Sequence, residues 1–221
     1  MEPVRLSPST LNLFSECGRC FWLLINKGIH RPAGPFPSLP GGMDGVLKPY
    51  YDKYRLSDSL PPEIDGKVEG KLFPDLAKIN RWRNWRTGLE YFDKKRNAKL
   101  FGALDDLLVI GDKYAPLDYK TRGSTIKDDS HTYYQLQLDL YSLLLKENGF
   151  PPADFGYLVF YSPTKVGPGA VTSFTAEPVK VLVDAESGRA VFEKAIELIA
   201  GKAPTHHSTC KYGLWQESED F

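Results

Sequence analysis

The sequence predicts an α/β (α+β) domain built on a mixed sheet, and three observations carry that expectation. Segments with helical and strand periodicity follow one another in the order helices, a strand meander, a helix, more strands and a final helix. A Gly-Asp pair at 111–112 separates two strand-like runs, the mark of a hairpin. The 221 residues, 42% hydrophobic and 25% charged, supply one sizeable core of ordinary globular composition. The whole chain, 1–221, is read as one domain.

"LSPSTLNLFSECGRCFWLLINKG" reads as a capped helix over 7–28. Ser7 suits the N-cap, Pro8 the first helical position, and Leu11, Phe14, Phe21 and Leu24 recur at helical spacing before Gly28 ends it. The Pro- and Gly-rich stretch "HRPAGPFPSLPGG" breaks regular structure. "MDGVLKPYYDKYR" predicts a second helix, irregular at Pro49. "GKVEGKLF", 66–73, reads as a strand. "AKLFGALDDLLVI" and "KYAPLDYKT" form the two arms of the hairpin. "SHTYYQLQLDLYSLLLKENG" is a strong helix stopped by Gly149, "FGYLVFYS" and "TSFTAEPVKVLVD" are strands, and "AESGRAVFEKAIELIAG" is a helix capped by Asp184. The tail, 202–221, is irregular.

The formal net charge is zero, so any nucleic-acid contact rests on a local patch rather than a global field. No apolar run is long enough to cross a bilayer, and "MEPVRLSPST" has no apolar signal core. A cytoplasmic protein with no membrane partner is expected. The three cysteines, 17, 20 and 210, are a poor disulfide framework and suit metal ligation, redox chemistry or packing.

Alternation along a strand projects Asp118 and Lys120 from one face and Tyr119 from the other. The turn at 111–112 brings Asp105 alongside Asp118, while Asp106 points away. Two clustered carboxylates repel, and a divalent cation relieves the cost. Magnesium takes few protein carboxylates together with water and phosphate oxygens, and such an ion beside a lysine activates water and offsets charge on a phosphodiester. A bare Asp-x-Lys in a strand is more often an edge-strand ion pair. The upstream Gly-x-x-Asp at 102–105 shifts the balance, because Gly102 leaves room for a close approach.

"GALDDLLVIGDKYAPLDYKT" resembles the core motif of the PD-(D/E)XK nuclease superfamily in its RecB-like branch, which includes the nuclease domains of RecB and AddB and the CRISPR-associated RecB-like nucleases. Asp105, Asp118, Lys120 and Thr121 match the Gly-x-x-Asp and Asp-Tyr-Lys-Thr pattern. "QLDLY" matches the branch's Gln-x-x-x-Tyr with Gln137 and Tyr141, one helical turn apart. The resemblance implies a restriction-endonuclease-like mixed central sheet flanked by helices. It also implies a Mg2+- or Mn2+-dependent deoxyribonuclease, with metal on Asp105, Asp118 and the Tyr119 carbonyl and catalysis by Asp105, Asp118, Lys120, Gln137 and Tyr141. Many relatives carry a histidine upstream of the Gly-x-x-Asp strand. The corresponding "GGMDGVLKPYYDKYR" has none, and Asp44 is the candidate substitute.

The first helix is similar to the branch's opening helix, in which Cys17 matches a cysteine that joins three C-terminal ones around a four-iron four-sulfur cluster. In "HSTCKYG" His207 takes the place of one of those cysteines. Cys17, Cys20, His207 (or its neighbour His206) and Cys210 then make four ligands, which would clamp the tail to the first helix. Four thiolates are usual for iron–sulfur clusters, whereas Cys3His is a recognised structural Zn2+ set. Cysteines that merely pack are the third possibility.

Residues 78–99 are rich in Lys and Arg, usually the sign of a solvated face. Here Trp82 and Trp85 interleave with Arg81, Arg83 and Arg86, the composition of a stacking groove for single strands of DNA. The resemblance implies action on DNA, single-stranded or at duplex ends, as an exonuclease or end-processing enzyme in repair, recombination or CRISPR-type processing. A helicase or repair complex is the implied partner. The alternative is a catalytically weakened nuclease fold that binds DNA or a partner.

Overall fold

The computed structural model describes residues 2–34, 38–124 and 129–213. The fold is mixed α/β, as the periodicities predict. Strands β1 (Val4–Leu6), β2 (Lys71–Leu72), β3 (Leu89–Asp93), β4 (Ala98–Gly102), β5 (Asp106–Ile110), β6 (Lys113–Thr121), β7 (Phe155–Val166) and β8 (Thr172–Leu182) form two sheets. A three-stranded sheet has the order β1-β4-β3 and a five-stranded sheet the order β2-β5-β6-β7-β8. The helices are α1 (Pro8–Glu16), α2 (Gly18–Lys27), α3 (Ser38–Leu56), α4 (Leu76–Arg83), α5 (Gln135–Glu147) and α6 (Ala185–Ala200).

The hairpin forms at the expected turn, with β5 antiparallel to β6 and Asp106 opposite Leu117. Strand β6 then runs parallel to β7, with Asp118 opposite Leu158 and Lys120 opposite Phe160. The connection between these parallel neighbours carries α5, as a crossover requires. Period-two alternation divides the core. Leu107, Leu158 and Phe160 pack with α5 and α6 on one face. Leu108, Leu117, Tyr119, Val159 and Tyr161 pack with Tyr51 of α3 on the other. Helix α5 is buried along most of its length, from Leu138 through Leu145.

Four local expectations change. The opening helix is two helices, because Cys17 is extended (φ −162°, ψ 107°) and serves as C-cap of α1 and N-cap of α2. Its ends are as read: the Ser7 hydroxyl accepts from the Thr10 amide, and Gly28 closes α2 at φ 67°. The long strand 98–110 is interrupted at residues 103–105, so β4 and β5 belong to different sheets. The strand expected over 66–73 shrinks to β2, and the basic stretch folds into α4, a turn and β3. Strand β1, unanticipated in the sequence, is too short for periodicity to show; it owes its existence to pairing with β4. Helix α3 continues through Pro49.

Candidate active site

Asp105 ends the interrupted segment immediately before β5, where the two sheets part. Its Oδ2 accepts a hydrogen bond from the Tyr119 amide at 3.1 Å. Within a strand, the N–H and C=O of one residue point to the same side. The Tyr119 carbonyl therefore faces the edge that β5 has vacated, toward Asp105. Asp118 projects from the α5 face of β6. Its Oδ1 accepts from Gln137 Nε2 at 2.8 Å, and Lys120 Nζ lies 2.5 Å from Oδ2. Lys120 also donates to Gln137 Oε1 at 3.1 Å. The Gln137 amide nitrogen sits 2.7 Å from the Tyr141 hydroxyl, which donates to the Ala103 carbonyl at 2.8 Å. Gln137 and Tyr141, one turn apart on α5, thus tie β6 to the break in the sheet. Gly102 permits this approach, since a Cβ there would lie 2.8 Å from Leu144 Cδ1 and 3.1 Å from Tyr141 Cε1.

Electrostatics mark the same spot. Burial, reinforced by the neighbouring Asp118, pushes the Asp105 carboxyl up to about 7 against the opposing pull of Lys48 and Lys120. Burial pushes the Lys48 and Lys120 ammonium groups down, but the carboxylates facing them hold both above the usual lysine range. Asp118 Oδ2 is buried with no aligned hydrogen bond, although Lys120 touches it. An acidic pair whose buried Asp118 Oδ2 meets only the Lys120 ammonium, in an all-oxygen donor set, fits a hard divalent cation such as Mg2+ or Mn2+.

Two residues of this site escaped sequence reasoning or were only half seen. Lys48 Nζ bridges Asp44 Oδ2 at 2.7 Å and Asp105 Oδ1 at 3.2 Å. The i,i+4 Asp-Lys spacing in "MDGVLK" was the available signal, but nothing local said that α3 would reach Asp105. Asp44 stands near the site through this lysine and adds repulsion on Asp105.

Asp106 points to the opposite face, as alternation requires. There it is fully buried, and Arg55 Nη2 donates to both of its oxygens at 2.7 Å. Arg83 donates to it at 2.9 Å and the Tyr119 hydroxyl at 2.6 Å. Arg83 also donates to Asp52 at 2.8 Å and through Nε to the Asp105 carbonyl at 2.8 Å. Arg83 therefore holds the Asp105 backbone, with most of its side chain engaged by carboxylates. Trp82 is buried and stacks on Phe73. Helical periodicity is the reason Trp82 is unavailable to stack on DNA: it lies on the α4 face that packs on the core. Arg81, Trp85 and Arg86 remain exposed.

At the far end of α1 the two chain ends meet. Cys17, Cys20, His206 and Cys210 place their ligand atoms within 4.8 Å of one another. Cys20 and Cys210 sulfurs are 3.5 Å apart, and Cys17 Sγ is 3.8 Å from His206 Nδ1. The fourth member is His206, not His207, whose ring turns to the Thr209 hydroxyl at 2.8 Å. The tail reaches this position by following α2, which donates from Trp22 to the Gly201 carbonyl and from Arg19 to the Pro204 carbonyl. Burial pushes the Cys17 thiol up, but hydrogen bonds from the Cys20 and His207 backbones and the His206 and Cys210 side chains bring it down to about 6. Burial pushes Cys20 up to about 11. His206 Nε2 is buried without a hydrogen-bond partner. Three clustered sulfurs with an unsatisfied imidazole fit a soft-ligand metal site.

A mixed sheet whose interrupted edge gathers two aspartates and a lysine against a Gln-x-x-x-Tyr helix is the architecture of a phosphodiester-cleaving enzyme. A family model for the PD-(D/E)XK nuclease superfamily matches residues 54–217, and the chain belongs to that superfamily. No curated protein matches the chain. No helix among the described residues is long and apolar enough to cross a membrane.

Proposed function

We propose that the protein is a Mg2+- or Mn2+-dependent deoxyribonuclease of the RecB-like branch, acting on DNA ends in repair, recombination or CRISPR-type processing, in the cytoplasm and beside a helicase or repair complex. The observation that carries this reading is the single hydrogen-bonded network joining Asp118, Lys120, Gln137 and Tyr141 on the face where Asp105 closes the site. In this reading Asp105, Asp118 and the Tyr119 carbonyl hold the metal. When bound, the cation offsets charge on the scissile phosphodiester and activates water. Lys120, anchored by Asp118 and Gln137, holds the attacking water or a phosphate oxygen with its positive charge. Gln137 fixes the Asp118 carboxylate, and Tyr141 fixes Gln137, so that ligand geometry is set before substrate arrives. Lys48, paired with Asp44 where relatives carry a histidine, supplies the positive charge next to Asp105.

The Cys17, Cys20, His206 and Cys210 group is proposed as a structural centre that pins the tail to α2. Its three sulfurs and one imidazole favour Zn2+, since iron–sulfur clusters more often take four thiolates.

The test is degradation of end-labelled single- and double-stranded DNA with Mg2+, Mn2+ or EDTA. Metal-dependent loss of full-length DNA is expected, with Asp118→Ala and Lys120→Ala reducing the rate by at least ~10²-fold, as for loss of a charge-stabilising group. Circular dichroism is expected to stay unchanged. An Asp118→Ala enzyme as active as wild type refutes the assignment. Metal-responsive DNA binding with no cleavage would instead support the weakened-nuclease alternative.

A further inference from the structure

A cleft of about 400 Å³ opens beside Asp105, lined by Lys48, Asp52, Asn80, Arg83, Trp85 and Arg86 among others. Its only carboxylate among these, Asp52, is already neutralised by Arg83 at 2.8 Å and Arg55 at 3.2 Å. Lys48 is paired with Asp44 and Asp105, and Arg83 with Asp52 and Asp106, so the uncompensated positive charge of the lining is that of Arg86. The inner end of the cleft is the site itself, because Lys48 touches the Asp105 carboxylate at 3.2 Å and Arg83 holds the Asp105 carbonyl.

The outer wall is the turn between α4 and β3. Trp85 is 64% exposed there. Arg86 stacks on its ring at 4.7 Å and has no carboxylate partner among the described residues. The turn is rigidly tied. Thr87 Oγ1 donates to the Arg81 carbonyl at 2.8 Å, the Thr87 amide to the Asn84 carbonyl at 3.0 Å, and the Arg86 amide to Asn84 Oδ1 at 2.9 Å. A second cavity, about 380 Å³, shares Arg86 and adds Arg81. A lone exposed tryptophan is unremarkable on a protein surface. This one is carried on a hydrogen-bonded turn, backed by an unpaired guanidinium, and set at the rim of a cleft that leads to two clustered aspartates.

We propose that this cleft is a subsite for single-stranded DNA, in which an unpaired base stacks on Trp85 and the adjoining phosphate binds Arg86, feeding the strand toward Asp105. The inference rests on the nuclease reading for the identity of the nucleic acid. It adds the residues that take an unpaired strand, since a base within a duplex has both faces occupied by its neighbours and cannot stack on an indole. Arg86 covers one face of the indole and leaves the other for the base. The second cavity, lined by Arg81, Arg86 and Glu90, whose carboxylate is paired with Arg5 and Lys99, continues the path away from the site.

Binding is measured by fluorescence anisotropy with metal chelated, using a labelled oligothymidylate, a blunt duplex and an RNA of the same length. Trp85→Ala is expected to weaken oligothymidylate binding roughly tenfold, the effect of losing one base–aromatic stack, and to leave duplex binding unchanged. Trp85→Phe retains most of the affinity. Arg86→Gln lowers the slope of log affinity against log salt by about 0.7, one phosphate contact on a single strand. Unchanged oligothymidylate binding by Trp85→Ala, an equal loss on duplex, or tighter binding of RNA than of DNA overturns the proposal. Parallel cleavage assays in Mg2+ separate the two readings. Cleavage by the wild type together with normal binding by Trp85→Ala leaves the nuclease and removes the subsite. Trp85-dependent binding without cleavage leaves the subsite and removes the nuclease.

Discussion

Replacing Asp105 by Asn is expected to stabilise the metal-free protein at pH 8 and to abolish its response to metal. The carboxyl is held at about 7 rather than 3.8 by burial and by Asp118. That displacement corresponds to about 4 kcal/mol, at about 1.4 kcal/mol for each pH unit. The side chain is 20% exposed, and Asn loses the charge contact with Lys48, so about 2–3 kcal/mol is the expected net gain. The direction follows from linkage. A folded-state value raised above the unfolded one means that the folded protein binds the extra proton between about pH 4 and 7, and stability falls as pH rises through that window. The groups facing Asp105 are Asp118, Asp44, Lys48 and Lys120, and none is altered by the substitution. The gain should be absent near pH 4 and complete by pH 8. For a chain of this size it raises the melting temperature by about 2–4 °C per kcal/mol. A divalent cation cancels the difference at a hundred times the dissociation constant, where the wild type gains about 2.7 kcal/mol and the variant does not, and reverses the order at a thousand times, where the gain is about 4.1 kcal/mol. The assay is thermal unfolding in EDTA and in Mg2+ or Mn2+ across pH. Asp105→Asn melting below wild type at pH 8 in EDTA, or both proteins gaining equally from metal, refutes the account.

Arg55→Met leaves the fully buried Asp106 with Arg83 as its remaining cation, and is expected to cost about 3–5 kcal/mol in urea unfolding. Gly102→Ala places a methyl against Leu144 and Tyr141; about 1–3 kcal/mol of destabilisation is expected, with a fall in cleavage rate as Tyr141 moves from the Ala103 carbonyl. Elemental analysis should find about one equivalent of zinc, or the iron of one cluster, per chain. Cys17→Ser should then lose the metal and expose the tail after Gly201 to protease first, with the Asp105–Asp118 hairpin still protected from hydrogen exchange.

Several features of the site were legible in the sequence because they depend on local geometry alone. Strand alternation puts Asp118 and Lys120 on one face and Asp106 on the other side from Asp105. The turn at 111–112 sets the hairpin register, and helical spacing pairs Gln137 with Tyr141. Ser7, Gly28 and Asp184 cap helices because each completes hydrogen bonds within its own turn. What lies opposite each of these faces depends on contacts between distant segments, and no local period encodes them. Only the packed chain separates Trp82 and Arg83, turned inward against Phe73 and Asp106, from Trp85 and Arg86, turned outward a few residues later. Only the packed chain brings Lys48 to Asp105, and the path of the tail along α2 selects His206 over His207. The break at residues 103–105 has the same origin. Gly102, Ala103, Asp105 and Asp106 weaken strand propensity in that segment, but pairing sets the break: β4 pairs with β1 and β3 while β5 pairs with β2 and β6. The chain must therefore leave one sheet for the other, and Asp105 sits where it does so.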